Sequence, residues 1–149
     1  MKILKSLIVA IISILIVSSI VYGVTYWVLT GQVEIIAGEG IEVYYDPELT
    51  EPATAIYDCG QIARGDTWIN YIYVHNTTEE SILMDAIQDH SDKIDIRLWW
   101  MVSPDQRVLQ TEPMIVGANS TVPFLMEIYV LPTAEVGYWR WTLKFFMVE

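Results

Sequence analysis

The order of apolar and polar positions divides the chain into two parts. Between Lys5 and Glu34 lie 28 residues without a charge, and positions 7–21 are rich in Ile, Leu and Val. A helix of that length reaches about 42 Å at ~1.5 Å per residue. The hydrocarbon core of a bilayer needs only about 20 apolar residues. The pattern predicts a transmembrane helix over 6–30. Tyr22, Tyr26 and Trp27 follow the apolar run, where an interfacial aromatic belt sits. Lys2 and Lys5 precede it, which places a short N-terminus (1–5) in the cytoplasm and the rest outside. The segment therefore reads as an uncleaved signal anchor. A cleaved signal would have a shorter apolar region and a small-x-small site, for which Ser18-Ser19 and Gly23 are weak matches. A pilin-like leader would need a basic-Gly or basic-Ala processing site; Lys5-Ser6 is the nearest approach.

After Gly31 a period of two replaces the helical pattern, bounded by Gly, Pro, Asn and Asp. Short strands are expected at 33–37, 41–45, 55–59, 67–75, 82–87, 94–100, 121–130 and 138–148. The run 67–75 is the clearest. Trp68, Asn70, Ile72 and Val74 share one face, and Ile69, Tyr71, Tyr73 and His75 share the other. Asn76-Thr77-Thr78-Glu79 reads as the hairpin turn that follows. The link to the membrane segment is short, 29–32. The expected fold is all-β: an antiparallel immunoglobulin-like β-sandwich of about seven or eight strands over 31–149, preceded by one N-terminal transmembrane helix. Its aromatic side chains can bury roughly 150–250 Å² each, enough for a core without disulfides.

Charge sharpens the division. All nineteen acidic residues lie at or after Glu34, with six of the eight basic ones, which leaves this part at −13. Such a domain repels phosphate backbones, so no nucleic-acid partner is expected. The bilayer is one expected partner. Cys59 is the only cysteine, which excludes an internal disulfide and reads as a small buried hydrophobe.

Two stretches carry a resemblance: Asp58-Cys59-Gly60-Gln61-Ile62-Ala63-Arg64-Gly65-Asp66, then Ile72-Tyr73-Val74-His75-Asn76-Thr77. With the opening run Gly40-Ile41-Glu42-Val43-Tyr44-Tyr45-Asp46 and the pair Val122-Pro123, they resemble the β-sandwich ectodomains of archaeal single-pass membrane proteins. These ectodomains are similar to immunoglobulin-like sandwiches. The resemblance implies a fold and a surface location, and it implies no catalytic residues. Cys59 and Thr77-Thr78-Glu79 depart from its pattern.

Candidate chemistry is sparse. A blue-copper site wants two His and a Cys, with Cys and His close together near the end of the chain. Cys59 instead precedes His75 and His90, and the last strands hold neither type. Asp85, Asp89, Asp92 and Asp95 do not match an EF-hand loop and read as a solvated acidic loop. No Gly-x-Ser-x-Gly elbow occurs. No enzyme activity, cofactor or metal is expected. Asn76-Thr77-Thr78 and Asn119-Ser120-Thr121 are glycosylation sequons on expected turns. Tyr71, Tyr73 and Trp99 form a contact patch if exposed together. The functional expectation is a membrane-anchored, non-enzymatic surface module for protein or glycan contact or envelope structure. Its rivals are a self-associating filament subunit that is pilin-like or exchanges strands, and an accessory subunit of a membrane complex.

Overall fold

The computed structural model of the chain describes residues 11–16, 28–53, 56–88 and 93–148. Residues 11–16 are α-helical. No helix among the described residues is long and apolar enough to cross a membrane. Most of the expected helix 6–30, with Lys2, Lys5, Tyr22, Tyr26 and Trp27, lies outside the described residues. Its end is corrected, because residues 28–30 already belong to a strand.

The alternating runs form β1 (Val28–Ala37), β2 (Ile41–Tyr44), β3 (Ile56–Ala63), β4 (Thr67–Asn76), β5 (Ile82–Gln88), β6 (Ile94–Ser103), β7 (Gln106–Leu109), β8 (Met114–Val116), β9 (Thr121–Val130) and β10 (Gly137–Met147). They make two five-stranded sheets. Sheet A has the order β3-β1-β10-β5-β8, and sheet B has the order β2-β4-β9-β6-β7. The all-β sandwich is therefore as expected, with three corrections. The described strands number ten, because β1 starts in the expected linker and the short β7 and β8 join the edges. The sheets are not wholly antiparallel, because β1 runs parallel to β10. The turn at 76–79 is not a hairpin, because it carries the chain from β4 in sheet B to β5 in sheet A.

Successive strands change sheet at every step except β6–β7. The inward positions of both sheets meet in one core. Phe124 of β9 and Phe145 of β10 are fully buried, with ring centroids 6.0 Å apart and planes tilted by 46°. Tyr57 of β3 reaches Trp68 of β4 at 5.5 Å and Tyr45 at 4.9 Å. Tilted rings at such distances add to area burial. From β1, Leu29, Val33 and Ile35 enter the core with 1% exposure or less. Each contributes roughly 1.5–3 kcal/mol of hydrophobic stabilisation.

Two glycines shape this sheet. At Gly31 a Cβ would lie 2.2 Å from Cζ3 of Trp141, so the indole occupies the side-chain space of β1. Gly60 has φ +69° and sits where the β1–β3 register shifts, as a bulge in the left-handed region requires. Gly31→Val should therefore displace Trp141 and lower stability by about 1–3 kcal/mol, the usual range for overpacking. Gln32→Ala, on the outward face of the same strand, should change it little. Urea unfolding of the full-length protein in detergent, followed by tryptophan fluorescence, measures both.

Candidate contact surface

Alternation along β4, β6 and β9 sends half of their side chains away from the core. On sheet B these outward positions include a contiguous apolar strip. Tyr71 of β4, Leu125 of β9, Trp99 of β6 and Leu109 of β7 stand side by side across four strands. Tyr73 lies opposite Pro123 in the next outward row, and Met101 opposite Arg107. Leu125 is only 6% exposed although it points away from the core cluster, in which it takes no part. Its cover comes from the outward face itself. Tyr71 and Ile69 remain exposed, at 47% and 57%. Tyr71, Tyr73, Met101, Pro104 and Pro123 line a shallow depression of ≈ 530 Å³.

The structure thus places Tyr71, Tyr73 and Trp99 on one face. Trp99 is half-buried there, with the Arg107 guanidinium 4.4 Å from its ring centroid. A charged chain runs beside the rings. Arg97 Nη2 meets Asp95 Oδ2 at 2.6 Å, and Arg97 Nη1 meets Glu127 Oε1 at 3.5 Å. Arg107 Nη1 meets Glu127 Oε2 at 3.6 Å. Two cations and two anions balance locally, on a domain that is otherwise strongly acidic. The Glu127 side chain is only 14% exposed, which strengthens its pairing relative to fully solvated ions. Sequence reasoning named the rings but missed Leu125, Glu127 and Arg107. The available signal was an apolar residue, Leu125, on the polar phase of 121–130.

The outward face of sheet A differs. There Glu34, Arg140, Lys144 and Asp85 intersperse with exposed Ile36, Leu83, Ile87 and Ile115, and Leu83 lies opposite Ile115 in register. A second cleft of ≈ 490 Å³ opens between the sheets, where Asp85, Gln88, Asp95, Arg97 and Gln110 contribute polar groups. Asp85 and Asp95 thus share a cleft, while Asp89 and Asp92 lie outside the described residues. No group of three His, Cys, Asp or Glu that could hold a metal occurs among the described residues. Cys59 and His75 are also apart: the thiol is in the core, and His75 is on the outward face of β4 with Nδ1 3.0 Å from Thr121 Oγ1.

The two sequons separate as well. Asn119 is exposed at a turn, with φ +49°. Asn76 has 0% exposure. Its Nδ2 donates to the carbonyls of Glu80 at 2.8 Å, Gly117 at 2.9 Å and Val116 at 3.3 Å. Its Oδ1 accepts from the Thr78 backbone N–H and hydroxyl. The expected glycan acceptor at Asn76 is therefore corrected to a structural residue that joins β4, the 76–81 turn and the end of β8.

Two buried groups resist ionisation. Burial, then the neighbouring Asp58 charge, pushes the Cys59 thiol up to about 12. Burial, then Tyr57, pushes the Tyr45 hydroxyl up to about 12. Both pKa values rise on folding, and in both cases the neutral form is the protonated one. The unfolded chain releases these protons first, so stability falls as pH rises from about 9 towards 12. Cys59→Ala should remove the part of this fall that begins near pH 9, as read from urea midpoints across that range. No family model matches the chain, and no curated protein matches it.

Proposed function

We propose that the chain is a membrane-anchored, non-enzymatic module of the cell surface that meets a protein or a glycan through the outward face of sheet B. One observation carries this reading. That face has its own buried centre at Leu125, flanked in register by Tyr71 and Trp99, with Leu109 beyond Trp99, and bordered by balanced charges. Solvated sheet faces commonly alternate to polar residues; on sheet A the outward apolar residues Ile36, Leu83, Ile87 and Ile115 stay exposed, whereas Leu125 on sheet B does not. Aromatic groups with an apolar body and a polar handle suit contact surfaces.

The strand order supports the immunoglobulin-like assignment. In sheet B, β2-β4-β9-β6 follow the A-B-E-D order, and β5 beside β10 follow C and F of the other sheet. The apolar run before β1 and the lysines before it support anchorage, and the acidity of the remainder supports life in water.

The contact reading is tested with the full-length protein in lipid nanodiscs. Isolated cell-envelope glycan and solubilised envelope protein are titrated separately. Tyr71→Ser with Tyr73→Ser should weaken binding at least tenfold while the domain stays folded in the assay, with a lowered unfolding midpoint because Leu125 loses part of its cover. Equal binding by this variant removes sheet B from the reading. A wild type that binds neither fraction removes the module.

A specific observation also favours the filament reading. The place of the last immunoglobulin strand beside β10 is filled by β1, which comes from the opposite end of the chain and runs parallel to β10. Only Gly38, Glu39 and Gly40 separate it from β2. A strand so placed can complete a second copy instead of its own. Cysteine pairs introduced at the Ile36 and Lys144 register positions, in a Cys59→Ala background, distinguish the two states. Crosslinking within single chains supports the self-contained module. Ladders of covalent multimers from native membranes support exchange.

A further inference from the structure

We propose that Asn119, and not Asn76, carries an N-linked glycan at the end of the sandwich opposite the start of β1. This rests on the reading that the domain is exported. Both residues stand in Asn-x-Thr sequons, so the motif alone treats them alike. The fold does not.

Asn119 sits at the tip of the 117–120 turn, between β8 and β9. Its side chain is exposed, and its left-handed backbone is held by Asn119 N–H to Thr78 C=O at 3.1 Å and Ser120 N–H to Gly117 C=O at 3.2 Å. The hydroxyl that completes the sequon, on Thr121, is on an exposed residue at the first position of β9. A bulky substituent on Nδ2 of Asn119 projects into solvent and breaks none of these bonds. Asn76 is the built-in contrast. Its Nδ2 is enclosed by three carbonyls, so a sugar there is incompatible with this fold whether it is added before or after folding.

The position follows from the register. The N-terminal end of β1 lies beside Gly137 and Ala63, and its other end lies beside Phe145. Ten residues of strand span about 30 Å at ~3.3 Å each. Thr77 N–H bonds Gly40 C=O just beyond that far end, and Thr78 C=O holds Asn119. The tip bearing Asn119 is therefore opposite the start of β1.

In the transfer, the donor is a glycan linked through its anomeric carbon to a lipid phosphate. The anomeric C–O bond breaks, with its electron pair leaving on the lipid phosphate. An anomeric C–N bond forms to Asn119 Nδ2, which loses one proton. No oxidant or reductant takes part.

The full-length protein is purified from membranes of the cells that make it, and proteolytic peptides are mapped by mass spectrometry. The peptide with Asn119 should carry a sugar mass, and the peptide with Asn76 should not. Asn119→Asp keeps a residue that tolerates the left-handed turn and should abolish the modification, with the unfolding midpoint unchanged. Thr121→Val should also abolish it, and Thr121→Ser should retain it. Unmodified Asn119, or a glycan on Asn76, overturns the proposal. Protease shaving of intact cells separates the two levels of inference. A domain cut from outside but bare at Asn119 overturns the modification alone, and a domain shielded in intact cells overturns the export reading with it.

Discussion

Strand β1 lies between β3 and β10, and sheet A exists as one sheet only because it does. On one side its backbone pairs antiparallel with β3, and on the other parallel with β10. Its inward side chains, Leu29, Val33 and Ile35, close the core over that gap. Gly31 supplies the remaining space, because only a residue without Cβ lets Trp141 lie across the strand. Removing β1 would leave β3 with no partner strand and would open the core along its whole length. The large aromatic content of β10 and the missing side chain of β1 are one feature seen from two strands.

The same arrangement explains why the sandwich needs no disulfide. With one exception, the chain passes from one sheet to the other at each connection, so the layers are stitched together by the backbone itself. The contacts that hold β1 to β10 join the two ends of the domain in sequence. Such non-local pairing is costly in loop closure and slows folding relative to helical proteins. Its return is a core in which every layer depends on both sheets.

Much of this was legible in the residues, for identifiable reasons. Alternation at 67–75 and 121–130 gave the faces of β4 and β9, because burial on one side imposes a period of two. It also put Tyr71 and Tyr73 on the face opposite Trp68, and the structure turns that face outward. Alternation gives a face but no neighbour, so the parallel pairing of β1 and β10 and the passage of 76–81 between sheets were out of its reach. Leu29-Thr30-Gly31-Gln32 resembled a linker because a glycine in a strand has the same signature as a turn. Strands β7 and β8, four and three residues long, were too short to establish a period, and β7 is exposed throughout. Asn76 was misplaced for a related reason. Polar residues at turns mark solvent in most cases, but an amide also has the donors and acceptor to satisfy buried backbone groups, and here it serves three carbonyls at once.

Sheet B shows how far outward-facing residues can depart from a solvated surface without leaving the rules of a sandwich. Trp99 is held from one side by Leu125 in register and from above by the Arg107 guanidinium. Arg107 is held by Glu127, and Glu127 is shared with Arg97. Trp99 is therefore fixed by the same charges that border it, so a partner meeting this ring would order few additional side chains there. Ordering costs about 0.5–1.5 kcal/mol for each flexible side chain at an interface. The platform also runs along the strands rather than across their ends. With β1 starting at one end and Asn119 at the other, a partner on sheet B would lie alongside the domain, leaving both ends free. The proposed anchorage, tip modification and lateral contact would then use three separate surfaces, and the element common to the first and the core would be β1.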